Sequence, residues 1–351
     1  MEQMVSLISL GDGSTLTLDF TTGVLDPRLT FTRASTATYI NSQGYVTTMA
    51  AAPTNDPTKA RFDYDPTTLA PRGLLVEGTA TNLLNWSESF ATSGGTNNNW
   101  ADTSITRTTG QADPANGTTA IRFTASAGNA TVISSAAIGT SAARTFSVWL
   151  RRVTGTGDIQ YTQNNGSNWT TQAITSTWTR YSFTHTANHQ VGIRIVTSGD
   201  AIEMWGAQLE TGSGASSYIP TGASQATRNP DYCVLPTSSF ITGNPYPSTL
   251  FVDCIPATAN TGFPNLARLF DRTAGGTFAY GSEIYYYTAA TMSVNRKVSA
   301  STNSDRTLAT GLAYNTRHKF ATAIDSTSFI GSRDGVTDSG ATTAPAALAS
   351  V

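Results

Sequence analysis

The sequence predicts an all-β protein, built from sandwiches and not from a doubly wound sheet. Three observations predict it. Short runs of alternating apolar and polar residues recur along the chain, turn residues separate them, and no helical period persists.

Thr15-Leu16-Thr17-Leu18-Asp19-Phe20 alternates, and Arg144 to Leu150 puts Phe146, Val148 and Leu150 on one face. Thr179 to Thr184 does the same with Tyr181 and Phe183. Val191, Ile193 and Ile195 alternate with Gly192 and Arg194. In the last third, Thr249 to Ile255, Ser282 to Thr288, Thr291 to Val298 and His318 to Ile324 repeat the pattern. Asn265 to Phe270 is the one stretch worth testing as a helix, and it is too short. Gly11-Asp12-Gly13-Ser14 and Gly331-Ser332-Arg333-Asp334-Gly335 carry hairpin-turn signals, and neither opens a helix that could cradle a phosphate.

Composition narrows the function classes. Charged residues make up 13% of the 351 residues, about half the usual ~25%. Hydroxyl and amide side chains take their place, as suits a secreted protein or a particle component. The net charge is −2, from 21 basic and 23 acidic residues. No basic stripe is present, so a nucleic-acid partner has no electrostatic footprint. No apolar run is long enough to insert in a membrane. Glu2 stands where a secretion signal needs a base, so export is expected by another route, such as lysis. Cys233 and Cys254 lie in apolar, strand-like runs and read as buried free thiols.

Three zones separate. Residues 1–85 hold strand-like pieces broken by loops, are poor in core for their length, and read as an extended segment that docks on another chain. Residues 86–229 have the most regular strand spacing. Residues 230–351 hold a second set of strands, and Ala341 to Val351 offers no closing strand.

No catalytic constellation emerges. Asp63 and Asp65 share a side of one strand, but Asp65 precedes Pro66, and Arg61 beside them suits a pinned turn. Glu77 and Glu88 are not placed opposite one another as a glycosidase pair requires. His185 and His189 have the spacing of helical metal ligands but lie in a strand-turn-strand segment, and His318 stands apart. No G-x-S-x-G elbow supports a serine nucleophile. The expectation is no catalytic residue, no metal and no cofactor. The sequons at Asn116, Asn129 and Asn165 follow from Asn/Thr richness.

Aromatic residues are where binding could live, because sugar rings stack their C–H faces on indole and phenol rings. Trp178 and Trp205 read as core. Trp149 points away from the face of Phe146, Val148 and Leu150. Trp169 lies in the polar stretch from Tyr161 to Trp169. Trp149, Tyr161, Asn164, Asn168 and Trp169 are therefore the candidate glycan-binding residues. Packing against a neighbouring subunit is the alternative use of the two tryptophans.

Three strings occur in order: Phe31-Thr32-Arg33-Ala34-Ser35-Thr36-Ala37-Thr38-Tyr39, then Arg61-Phe62-Asp63-Tyr64-Asp65-Pro66, then Gly73-Leu74-Leu75-Val76-Glu77-Gly78-Thr79-Ala80-Thr81-Asn82-Leu83-Leu84. Together they resemble the N-terminal region of bacteriophage head spike or fibre proteins, also met in tail proteins. Phe146-Ser147-Val148-Trp149, Ser176 to Tyr181, Trp205 to Glu210, Ser217 to Thr221 and Ala226-Thr227-Arg228 resemble a jelly-roll carbohydrate-binding module. Residues 230–351 are similar to a concanavalin-like or laminin-G-like sandwich. The resemblance implies an extended anchoring segment followed by two jelly-roll-like antiparallel sandwiches, in a non-enzymatic virion protein on the particle surface. It implies a homo-oligomer, favouring a trimer, with other virion proteins and host-surface polysaccharide as partners. Leu74, Leu75, Leu83 and Leu84 would anchor it. A tail fibre, a capsid decoration without glycan binding and a depolymerising enzyme are the alternatives.

Overall fold

A computed structural model describes residues 2–8, 16–90, 100–134, 138–235, 248–256, 265–272, 278–288, 291–297, 303–310, 316–324 and 329–337. With 52% of residues in strands and 3% in helix, the protein is all-β. The alternating runs become strands. Among them are Ile138–Thr154, Thr179–His189, Gly192–Ile195, Ser248–Ile255, Phe278–Thr288, Thr291–Lys297 and His318–Ile324. The stretch tested as helix is the strand Asn265–Arg272. Leu18 lies in Thr17–Asp19, after which a short 3-10 turn, Phe20–Thr22, ends the predicted first strand early.

The chain forms two compact units. One comprises Met1–Gly44, Met49–Gly78 and Pro230–Val351; the other comprises Tyr45–Thr48 and Thr79–Asn229. The second is thus inserted, in sequence, into the first.

In the first unit one antiparallel sheet runs Val336–Thr337, Phe329–Arg333, His318–Ile324, Ser248–Ile255, Glu2–Ile8, Pro71–Val76, Arg61–Tyr64, and Thr17–Asp19 also pairs with Glu2–Ile8. Strands from both ends of the sequence therefore share a sheet. The strands Asn265–Arg272, Phe278–Thr288, Thr291–Lys297 and Asn303–Thr310 form a separate four-stranded meander. The Asp334-Gly335 pair, with φ of 49° and 82°, makes the two-residue hairpin between Phe329–Arg333 and Val336–Thr337, as its sequence signals. The other predicted turn, Gly11 to Ser14, and the tail Ala341 to Val351 lie outside the described residues.

The N-terminal region is not poor in core. Phe20, Leu25, Leu29, Phe31, Ala60 and Leu74 pack into a cluster of their own. Beside it lies a fully buried ion network. Arg61 donates Nη1 to Glu77 Oε2 at 2.7 Å and to the Thr38 carbonyl at 2.7 Å, and its Nη2 pairs with Asp231 Oδ2 at 2.5 Å. Arg33 donates Nη1 to the other Asp231 oxygen at 2.9 Å, Nε to the Ser35 carbonyl and Nη2 to the Ala50 carbonyl. Asp231 also accepts from the Glu77 backbone N–H at 2.8 Å, while its own N–H donates to the Glu77 carbonyl at 2.9 Å. Two guanidinium and two carboxylate groups balance, so the buried charge sums to zero.

In the second unit two five-stranded antiparallel sheets contribute to one core. The first has the order Ile105–Gln111, Ala120–Ala125, Ala201–Thr211, Ile138–Thr154, Thr179–His189; the second runs Thr170–Thr171, Ile159–Thr162, Gly192–Ile195, Ala130–Ser134, Trp100–Thr103. Phe123, Phe146, Val148, Leu150, Met204 and Leu209 from the first meet Trp100, Val132, Ile159, Ile193 and Ile195 from the second. Strand Ala201–Thr211 changes phase at Gly206. Trp149 faces Trp205 and Ser147 faces Gln208, so three steps on one strand match two on its partner. Gly206 takes the extra step at φ 62°, a glycine bulge that returns Ala207 and Leu209 to the core face after Met204.

The four leucines expected to dock on other virion proteins serve these cores instead. Leu74 and Leu75 are fully buried in the first unit; Leu84 is buried and Leu83 half-buried against the core of the second. An apolar side chain already shielded within its own chain offers a partner no area to cover. Next to them Asn82 is buried with all its polar capacity in use. Its amide donates to the Ala207 and Ile219 carbonyls and its carbonyl accepts from the Leu84 and Leu209 N–H groups.

Asp231→Ala should destabilise the first unit by about 3–5 kcal/mol, since it leaves two buried guanidinium groups short of a carboxylate; urea unfolding measures this. A second expectation concerns pH. Burial pushes the Asp63 carboxyl up to about 6, against the N–H of Ile40, which donates to it at 2.7 Å, and the nearby Arg72. An acid with a folded pKa above its unfolded value holds its proton more tightly when folded. It therefore disfavours the fold above pH 6, and that penalty fades as the pH falls toward 4. Thermal melts of wild type and Asp63→Asn should show the wild type gaining on the variant between pH 7 and pH 5.

Candidate functional site

The solvent-side face of the second five-stranded sheet carries a row of polar residues in register: Thr103, Thr131, Arg194, Gln160 and Thr171. They stand there because Val132, Ile193, Ile159 and Tyr161 turn the other way, into the core or against it. Arg194 donates Nε to Gln160 Oε1 at 2.7 Å, and its Nη2 bonds the same oxygen. The Gln160 amide in turn donates to the Thr171 hydroxyl at 3.1 Å. The Arg194 guanidinium sits 4.5 Å over the ring of Trp169, a cation–π stack on a half-buried indole.

The loop that delivers Trp169 is braced by its own side chains. Asn164 Oδ1 accepts from the Thr162 hydroxyl and from the Asn168 N–H, both at 2.9 Å. Thr162 Oγ1 accepts from the Gly166 N–H at 3.0 Å. Asn165 and Gly166 both adopt left-handed backbone, with φ of 57° and 76°. A Cβ on Gly166 would stand 3.2 Å from the Trp169 indole, so the bare turn supports the edge of the ring. Asn116 and Asn129, the other sequon asparagines, also hold left-handed turns, the conformation asparagine tolerates best.

Of the five sequence candidates, the structure groups Asn164, Asn168 and Trp169 and separates two. Tyr161 faces inward and stacks on Phe183, with ring centroids 3.6 Å apart at 18°. Trp149 does lie opposite the face of Phe146, Val148 and Leu150, but on the first sheet and only 7% exposed. Trp205 and Tyr218 pack edge-on against it at 5.2 and 5.5 Å, and Arg180 covers it at 4.5 Å. It is no platform for a ring. Trp205 is buried as expected, on this outer face and not among the core residues. Trp178 departs from its core assignment, being half-buried beneath Arg151. Sequence reasoning passed over Arg194 and Gln160. The outward phase of Arg194 between Ile193 and Ile195 was the available signal.

The carboxylates singled out in the sequence have structural partners. Glu77 lies in the buried ion network. Asp65 caps a turn through the Thr67 and Thr68 N–H groups and pairs with Arg72 at 2.7 Å; the Thr68 N–H above all, then that of Thr67 and the Arg72 charge, hold its carboxyl down at about 2. Glu88 accepts from the Tyr218 hydroxyl at 2.9 Å, and burial raises its carboxyl above the usual range. The nearby Asp113 accepts the N–H groups of Ala115, Gly117 and Thr119. His185 is exposed on its strand, and His318 bonds Asp334 through Nδ1 at 2.8 Å. Among the described residues no three His, Cys, Asp or Glu side chains converge on a metal-sized site. Cys233 and Cys254 form no disulfide; Cys254 is buried as expected, Cys233 is only half-buried, and burial lifts the Cys233 thiol to about 12.

No protein-family model and no curated protein matches the chain.

An exposed loop residue and a core residue beside it should differ in their weight on stability. Asn168→Ala, at an exposed position, should change unfolding free energy by no more than about 0.5 kcal/mol. Phe183→Ala, which removes the ring under Tyr161, should cost about 3–5 kcal/mol. Denaturant titration of the two variants makes the comparison.

Proposed function

We propose that this chain is a structural, non-enzymatic subunit of a bacteriophage particle, a head spike or fibre that holds host-surface glycans weakly on its inserted unit. The observation that carries the binding half is the Trp169–Arg194–Gln160 platform. It combines a braced indole, a guanidinium fixed by an amide, and exposed hydroxyls in line with them. Sugar rings need a flat apolar surface and rigid polar groups around it. Arg194 keeps Nη1 without a hydrogen-bond partner among the described residues, available to a sugar hydroxyl. Such a site is shallow, and repetition over many copies on a particle would supply avidity.

The virion half rests on the resemblance of the N-terminal strings to phage spike and fibre proteins. A jelly-roll sandwich for residues 79–229 is supported by two sheets feeding one core. Assembly into a trimer, and attachment to other virion proteins, belong to the same reading. With Leu74, Leu75 and Leu84 internal, attachment would use exposed apolar residues of the first unit, such as Val24, Tyr232 and Val234.

The test follows both retention of the purified protein on host-surface polysaccharide and the length of that polysaccharide. Retention without shortening, weakened about tenfold or more by Trp169→Ala with an unchanged melting temperature, is the expected result. Shortening would overturn the non-enzymatic reading. No retention would overturn the glycan-binding one and leave a decoration protein.

A further inference from the structure

The first five-stranded sheet of the inserted unit has a solvent side too, and part of it is covered. Residues 216–219 lie across it: Arg180 donates to the Ser216 carbonyl at 2.6 Å, Gln208 accepts from the Ile219 N–H, and Tyr218 packs on Trp149 and Trp205. One charged row lies outside this cover. In register across the strands stand Arg122, Glu203 and Arg151, with Trp178 beside Arg151.

We propose that this row is a second binding site, for the carboxylate groups of an acidic polysaccharide. The inference rests on the glycan-binding reading above and specifies a ligand class for a different face. Glu203 has no exposed side-chain surface, whereas Arg122 and Arg151 are 37% and 30% exposed. Arg122 donates Nε and Nη2 to one Glu203 oxygen at 3.1 and 2.8 Å, and Arg151 donates Nε to the other at 2.5 Å. The inner edges of both guanidinium groups are thus fixed. Arg122 Nη1 and both Arg151 Nη groups have no partner among the described residues.

Two half-exposed cations on one buried anion leave a net charge of +1, held rigidly. The outer nitrogens of a guanidinium form a planar fork that matches a planar carboxylate. On the flank, Arg151 lies 4.9 Å over the ring of Trp178, a half-buried indole that sets a flat apolar surface beside the guanidinium groups. From Arg122 to Trp178 the row crosses three strand spacings, about 14 Å, which suits a chain of sugar rings better than a lone ion.

The probe is polygalacturonate, with its carboxyl-reduced, neutral counterpart as control, titrated against the full chain. Two variants test the site. Arg122→Gln leaves Arg151 to hold Glu203. The triple variant Arg122→Gln, Arg151→Gln, Glu203→Gln removes both cations without stranding a buried carboxylate. Wild type should bind the acidic polymer and not the reduced one, more weakly as salt rises. Arg122→Gln should weaken binding about tenfold or more, the equivalent of one charge-assisted hydrogen bond. The triple variant should abolish it. Equal binding of both polymers, or full binding by the triple variant with its fold intact, would overturn the proposal. So would retention of host polysaccharide at the Trp169 platform with no affinity for polygalacturonate, and the broader glycan-binding reading would survive that result. Retention of neither polymer nor host polysaccharide would remove both.

Discussion

The first unit depends on the neutral, buried network of Arg33, Arg61, Glu77 and Asp231. Four ionised groups are removed from water there, and each is tolerable only because the others are in place. Asp231 is the hub, binding both arginines and the Glu77 N–H. The three strings Phe31 to Tyr39, Arg61 to Pro66 and Gly73 to Leu84 supply the other three members. Arg33 comes from the first, Arg61 from the second and Glu77 from the third. Their order and spacing acquire a physical meaning: they bring complementary charges to one point beside the cluster of Phe20, Phe31 and Leu74.

The same economy of charge runs through the inserted unit. Few charged residues are available, and several carboxylates are internal: Glu203 between two arginines, Glu210 on the Ser216 hydroxyl and N–H, Asp200 against Arg152. The charge that reaches the surface is then largely guanidinium, set beside tryptophan at two separate places, Arg194 on Trp169 and Arg151 on Trp178. Hydroxyl groups fill the faces around them.

Strand existence and phase were legible in the sequence because one face of each strand is buried, and burial enforces a period of two. Thus Phe146, Val148 and Leu150 declare their strand, and Trp149 declares that it points elsewhere. What covers Trp149 was not legible. Tyr218 comes from a loop nearly seventy positions away, and no local pattern announces that contact. Likewise Gly206 reads as a strand weakness, while the structure uses it to reset the phase between Trp205 and Gln208. The candidate site was half legible. Asn164, Asn168 and Trp169 are neighbours in sequence, whereas Arg194 and Gln160 join them only through strand register. The leucines of Gly73 to Leu84 looked like anchors for lack of a visible core, since that core assembles from segments far apart in the chain.

The insertion of residues 79–229 within the first unit sets an order of events at the ribosome. Asp231 lies 198 positions after Arg33 and 170 after Arg61, and a chain made from its N-terminus exposes both arginines long before their carboxylate exists. The inserted unit, Tyr45–Thr48 and Thr79–Asn229, is by then fully synthesised. It can fold first, and the outer unit must wait for its last contributors. Over that interval the apolar and cationic residues of the N-terminal region stand unshielded.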